Sequence, residues 1–339
     1  MKKKLLTVLM AGIMTLSLVA CGNGTTKETA STEDATESSV ANGDEDGMGE
    51  KKVVVAFSQN TTSDPWRVAQ TNDIKRVAKE RGYELIYTDA QGDTAKQISD
   101  VEDICAQGVD ILILDPAEYE ASSECLTIAK EAGAKVFLID REVNGTAGED
   151  YVTCIATDFI WNGKVNAEWL IEKTGGTAKI VEITGTPGSA AMIDRQAGFQ
   201  QGLEGHEGME IISSQNGNWS RSEAQSAMEN IIQSTGGDID AVYTHNDEMG
   251  MGAIQAIEGA GLEPGKDILV VSCDGQKDFV KAIIAGTAGC TASCSPLYGD
   301  ITFDTIESYL AGEEIPTSIV MDDVLFTADT AEELMDRTY

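Results

Sequence analysis

Apolar runs in this 339-residue chain end repeatedly in side chains able to grip a polar ligand. Asp115 follows Ile111-Leu112-Ile113-Leu114, and Asp140-Arg141 follow Val136-Phe137-Leu138-Ile139. His245-Asn246-Asp247 come just after Ala241-Val242-Tyr243, and Asp274-Gly275 close the run 268–273. Trp66, Phe159, Trp161 and Trp219 are expected near the same rim. Carboxylates, amides and guanidinium groups each make paired hydrogen bonds to neighbouring hydroxyls, and an indole stacks on the C–H face of a sugar-like ring. That mixture suits a neutral polyol better than a phosphate or a peptide. Each residue also has a plainer reading. Asp115 serves equally well as a helix N-cap, and Asn246 as the cap of a helix starting at 247. Trp161, spaced helically with Val165 and Trp169, reads as core. His245 has no nucleophile or metal partner in view and reads as structural.

The elements that must position these side chains repeat a short unit of helix, glycine and apolar strand. Strands are expected at 52–57, 111–114, 135–139, 179–183, 241–243 and 268–271. A helix over 66–81 turns Ile74, Val77 and Ala78 inward and stops at Gly82. Ile98, Val101, Ile104 and Cys105 mark the next helix face, ended by Gly108; a third helix ends near Gly133, and a later one covers 247–260. Strands that are apolar throughout are those buried on both faces of a parallel sheet. Their alternation with helices gives doubly wound α/β architecture, whose ligands sit beyond the carboxyl ends of the strands. The length of the part after residue 51 suits two such lobes.

The N-terminal residues read differently. Lys2, Lys3 and Lys4 precede a short apolar stretch ending in Leu18-Val19-Ala20-Cys21, which resembles a bacterial lipoprotein signal with Cys21 as the acylated first residue. About 16 apolar-rich residues fall short of the roughly 20 needed to span a bilayer. Residues 21–51, rich in Ser, Thr, Gly, Asp and Glu, read as a disordered tether. The formal net charge of −33 argues against nucleic acid and anionic lipid as partners. Cys105, Cys125, Cys154, Cys273, Cys290 and Cys294 mostly fall inside apolar runs and read as buried free thiols. Without a C-x-x-C pair, and with His206 and His245 far apart, no zinc site is expected.

A specific likeness is carried by Val242-Tyr243-Thr244-His245-Asn246-Asp247-Glu248-Met249, by Gly252-Ala253-Ile254-Gln255-Ala256-Ile257 and by Gly261-Leu262-Glu263-Pro264-Gly265-Lys266-Asp267. Phe57-Ser58-Gln59, Trp66-Arg67, Ile139-Asp140-Arg141, Ile193-Asp194-Arg195-Gln196-Ala197-Gly198-Phe199 and Asp274-Gly275 add to it in order along the chain. Together they resemble the type I periplasmic sugar-binding proteins of ABC importers, most of all the galactofuranose-binding branch, with the ribose-binding branch related. The resemblance implies two doubly wound parallel-sheet lobes joined by a three-strand hinge, of 52–156 plus 295–321 and of 157–294 plus 322–339. It implies that Asp64, Trp66, Arg67, Asp140 and Arg141 hold a monosaccharide from the first lobe, and Arg195, Trp219, Asn246 and Asp274 from the second. Trp66 and Trp219 would sandwich the ring. Hinge closure would trap the sugar, a membrane permease would read the closed form, and the protein would act as a lipid-anchored monomer without cofactor or metal. The chain departs from the pattern at Asp158-Phe159, where relatives carry Asp-Asn, at Ser293-Cys294 near the hinge, and in a longer loop over 60–64.

Other functions fit the sequence less well. Asp140 and Asp274 are a carboxylate pair of the kind a glycosidase uses. Neighbouring arginines would hold them ionised, removing a general acid, and the chain has neither G-x-S-x-G nor H-E-x-x-H. A sensory module presenting a sugar to a receptor kinase or chemoreceptor would share the fold and site. A repressor would carry a DNA-binding helix pair where this chain has its signal and tether. Gly259-Ala260-Gly261 follows a helix rather than a strand, and Gly265-Lys266-Asp267 lacks P-loop spacing, so neither marks a nucleotide site.

Overall fold

Val55, Ala56 and Phe57 are fully excluded from solvent, and the strand they begin runs on to Gln59. The expected start at Lys52 is three residues early, because Val54 N–H is spent on Asp110 Oδ2 (3.0 Å). The computed structural model describes residues 52–339. The signal, Cys21 and the tether lie outside the described residues.

In chain order the first elements are β1 (Val55–Gln59), α1 (Pro65–Glu80), β2 (Leu85–Asp89), α2 (Thr94–Ala106), β3 (Ile111–Leu114) and α3 (Ser123–Ala132). β4 (Lys135–Ile139), β5 (Thr153–Ala156), α4 (Phe159–Thr174), β6 (Ala178–Thr184), α5 (Ala190–Leu203) and β7 (Met209–Asn216) follow. Then come α6 (Arg221–Thr235), β8 (Ala241–Thr244), α7 (Asp247–Gly259), β9 (Leu269–Asp274), α8 (Lys277–Ala285) and β10 (Cys290–Ser293). The described chain finishes with α9 (Gly299–Leu310), β11 (Ser318–Val320), β12 (Leu325–Thr327) and a 3-10 turn.

These strands form two sheets with the same plan, ordered β11-β5-β4-β3-β1-β2 and β12-β10-β9-β8-β6-β7. Every pairing is parallel except β10 with β12. Each sheet is buried on both faces, as its unbroken apolar strands require. Val55, Phe57, Ile113 and Ile139 pack toward Ile74, Val77 and Phe303 of α1 and α9. Ala56, Leu112, Leu114 and Leu138 pack toward Val101, Ile104 and Leu126 of α2 and α3. In the second sheet Val181, Val242 and Val270 face α6, α7 and α8, while Ile180, Tyr243 and Cys273 face α4 and α5. The architecture is therefore two α/β lobes.

The chain passes from one sheet to the other after β5, after β10 and after β11. A main-chain bond also joins the lobes directly: Tyr119 N–H, between β3 and α3, donates to Gly188 O, between β6 and α5, at 3.0 Å. Helices α4 and α5 approach until only glycine fits between them. A Cβ on Gly163 would lie 2.2 Å from Arg195 O.

Candidate functional site

Asp64 starts the site by ending a loop. Its Oδ1 accepts from Arg67 N–H (2.9 Å), capping α1, and Pro65 occupies the first helical turn, where its missing N–H costs nothing. Trp66 and Arg67 therefore leave the helix at its first turn, beside the carboxyl ends of β1, β3 and β4. The Trp66 indole N–H donates to Cys294 O (2.7 Å). Arg67 forks between two carboxylates, Nη1 meeting Asp115 Oδ2 and Nη2 meeting Asp140 Oδ2 at 2.6 Å. Asn60 Nδ2 holds the other oxygen of Asp115 at 2.8 Å. Burial works against the Arg67 charge, but Asp115 and Asp140 raise its pKa above the usual range.

Asp140 and Arg141 turn sharply off β4. Asp140 sits at φ 63° while its N–H stays bonded to Ile155 O at 2.8 Å, so the sheet fixes a backbone that the side chain disfavours. Arg141 Nη1 donates to Ala117 O (3.1 Å), and its Nε is buried without a hydrogen-bond partner. Burial, followed by the neighbouring Arg67 charge, lowers Arg141 to about 10.

The second half-site repeats this economy. Arg195, on α5, donates from Nη1 to His245 O (2.5 Å), from Nη2 to Asp274 Oδ1 (3.2 Å) and to Asn162 Oδ1 (3.2 Å). Asp274 ends β9 at φ 123°, and burial raises its carboxyl well above the ordinary range against the pull of Arg195, so the expectation that an arginine holds this carboxyl ionised is overturned by its desolvation. Asp64 is likewise raised by burial. Trp219 stands at φ 62° just before α6, with its ring so close over Gly185 that an added Cβ there would fall 1.9 Å away. Asn246 caps α7 through Met249 N–H (3.0 Å) and donates to Trp219 O (3.4 Å).

All nine residues expected from sequence, Asp64, Trp66, Arg67, Asp140, Arg141, Arg195, Trp219, Asn246 and Asp274, line one cavity, together with Phe159, Ala191 and Cys294. Its volume is only about 30 Å³, far below the roughly 300–1,000 Å³ of ordinary ligand sites, so the two half-sites stand nearly shut on each other. Guanidinium groups also lie over its rings, Arg67 4.5 Å from the Trp66 centroid and Arg195 5.0 Å from that of Phe159.

Some plainer readings resolve. Asp115 neither caps a helix nor lines the cavity; it is fully buried and positions Arg67. Asn246 both caps and lines. Trp161 is half-buried and away from the cavity. His245 bonds Glu182 through Nε2 (3.1 Å), and burial lowers its pKa, keeping the ring neutral. Phe159 puts a ring in the cavity wall where relatives were expected to place an amide. Asn162 and Asn60 were missed. Asn162 and Asn166, one turn apart on the face of α4 that also carries Phe159, Ala167 and Leu170, were the available signal. The six cysteines among the described residues are free, five of them buried. No group of three or more metal-ligating side chains exists among the described residues. The cavity thus offers acceptors and donors already neutralised in pairs, and no activated nucleophile.

The periplasmic binding protein domain model matches residues 55–314. The galactofuranose-binding protein YtfQ of Escherichia coli is 36% identical over 289 residues, 84% of this chain and 91% of that protein. The ribose import binding protein RbsB of Bacillus subtilis is 34% identical, over 79% of this chain and 85% of its own length. Among solved structures, the binding component of the arabinose ABC transporter of Shewanella sp. ANA-3, bound to α- and β-L-arabinofuranose, superposes with a TM-score of 0.80 at 38% identity. That superposition covers 84% of this chain and 95% of the other. These similar proteins are binding proteins, not enzymes.

Proposed function

We infer the function from one premise: the chain belongs to the periplasmic binding protein domain family. It is an extracytoplasmic sugar-binding protein of an ABC importer, which captures a monosaccharide between its lobes and releases it to a membrane permease. The lobes are 52–156 plus 295–321 and 157–294 plus 322–339, and Cys21 is the lipid-bearing anchor residue. The relatives bind galactofuranose, ribose and arabinofuranose by name, so the ligand class here is a furanose-capable hexose or pentose.

The single observation that carries this reading is the convergence of five polar or aromatic side chains from one lobe and four from the other on one cavity. Neither half-site is complete alone, so a ligand touching both shifts the population toward the closed form. The pairing of each guanidinium with a carboxylate leaves little net charge for an ion to answer. Neutral hydroxyls, each a donor and an acceptor, answer both partners. Trp219 Nε1 and Arg141 Nε, buried and without a hydrogen bond although Arg141 Nε lies 3.6 Å from Asp140 Oδ2, are donors for such oxygens.

A thermal-shift screen of aldoses and furanosides tests the reading. At least one monosaccharide raises the melting temperature, by an amount equivalent to about 2.7 kcal/mol at a hundredfold excess over Kd. Asp274→Ala or Arg141→Ala abolishes that rise. A flat response across the whole screen refutes sugar binding, and a rise untouched by either substitution refutes the residue assignment.

A further inference from the structure

A second, wider cavity adjoins the first. Its volume is about 440 Å³, against about 30 Å³ for the inner cavity. Asp64 from one lobe and Trp219 from the other line both. Behind them the wider space is walled by Asn218, Ser222, Gln225 and Gln255, all amides and a hydroxyl, and by the pair Arg221–Glu248. Resting on the sugar-binding reading above, we propose that this vestibule is a glycoside subsite, holding a second, neutral hydroxylated unit attached to the sugar in the inner cavity.

Three features support the assignment. Trp219 is common to both spaces, and an aromatic ring shared by two cavities offers each a stacking surface for the apolar face of a sugar. The ring is held rather than loose: Asn218 and Trp219 stand consecutively in the left-handed region, at φ 49° and 62°, and the indole lies against Gly185. Such strain persists where the surroundings over-determine it and clusters at ligand clamps. The vestibule's charge then selects the class of substituent. Its one cation, Arg221, is already held by Glu248 through two bonds, Nε to Oε2 at 2.9 Å and Nη2 to Oε1 at 2.7 Å. Asp64, Glu223 and Glu248 face the same space, so a phosphate or uronate meets carboxylates and no free cation, whereas a neutral polyol finds donors and acceptors.

Calorimetric titration of the intact protein compares the free sugar, the methyl furanoside and a furanosyl disaccharide in the D-galactose, L-arabinose and D-ribose series, with the matching furanose 1-phosphates. In the series that binds, the disaccharide is expected within about tenfold of the free sugar, and the phosphate at least a hundredfold weaker. Ser222→Trp and Gln255→Trp, both at exposed helix positions, fill the vestibule. They are expected to weaken the disaccharide by thirtyfold or more while leaving the free sugar within threefold. Binding of free sugars with exclusion of every glycoside overturns the subsite and leaves the primary reading intact. Equal losses for both ligands in the filled variants also overturn it. Failure of all free sugars and glycosides alike sinks the primary reading and the subsite with it.

Discussion

Arg67 Nη2 reaches Asp140 Oδ2 at 2.6 Å, tying the first turn of α1 to the end of β4. One guanidinium thereby sets the orientation of a carboxylate that lines the cavity, and Asp115 sets the guanidinium from behind.

The first expectation concerns that hidden partner. Asp115→Ala leaves Arg67 buried with one carboxylate fewer, and breaking a buried pair costs about 3–5 kcal/mol. Urea unfolding should show a loss of that order, with ligand affinity falling although Asp115 touches no part of the cavity. Unchanged affinity would show that Asp140 orients Arg67 unaided.

A methyl group tests the seat of Trp219. Gly185→Ala sets a Cβ where the ring now lies, 1.9 Å from its nearest atom, so the indole must move. Ligand affinity should drop at least tenfold and the melting temperature should fall as well, because the half-buried ring packs on the cores of both lobes and cannot move without losing those contacts. The chain has four tryptophans, so the Trp219 share of the fluorescence is read by difference from Trp219→Phe, and an unaltered difference spectrum would contradict the displacement.

Asp194, half-buried on α5, is raised to about 6, first by burial and then by Glu142 and Asp158. A carboxyl with a raised folded pKa binds its proton more tightly in the folded chain than in the unfolded one. Its contribution therefore favours folding at low pH and is lost as pH rises from about 4 to about 6. Asp194→Asn should melt about 1 °C higher than the parent at pH 7, and the gain should vanish by pH 4. Parallel melting curves for the two proteins across that range would exclude this group as a titrating contributor.

Thiol chemistry provides a fourth check. Of the six described cysteines only Cys105 is partly exposed, and burial raises even its pKa. An aromatic disulfide reagent at pH 8 should modify about one of the six in the native protein, slowly, and all six in denaturant. Rapid native labelling of several would mean that the strands carrying Cys154, Cys273 and Cys290 open readily.

The buried strands were legible because their unbroken apolar runs have one physical reading, burial on two faces. β2 and β7 escaped, being edge strands that leave most side chains half-buried or exposed. β5 and β10 escaped for another reason: Thr153, Thr291 and Ser293 are buried yet polar. The nine cavity residues came from family likeness and strand-end position together. Asp115 was seen, but its part was not, since a contact with Arg67 across 48 positions leaves no local pattern. Asn162 was missed similarly, its partner Arg195 lying on another helix.

The triple passage of the backbone between sheets has a consequence for the birth of the molecule. β11, the edge of the first sheet, is supplied by Ser318–Val320, and β12 of the second by Leu325–Thr327. A ribosome working from the amino terminus cannot finish the first sheet until Val320 is made, nor the second until Thr327. Each lobe must wait, slack and unsealed, for the same closing stitch, and both become whole almost together.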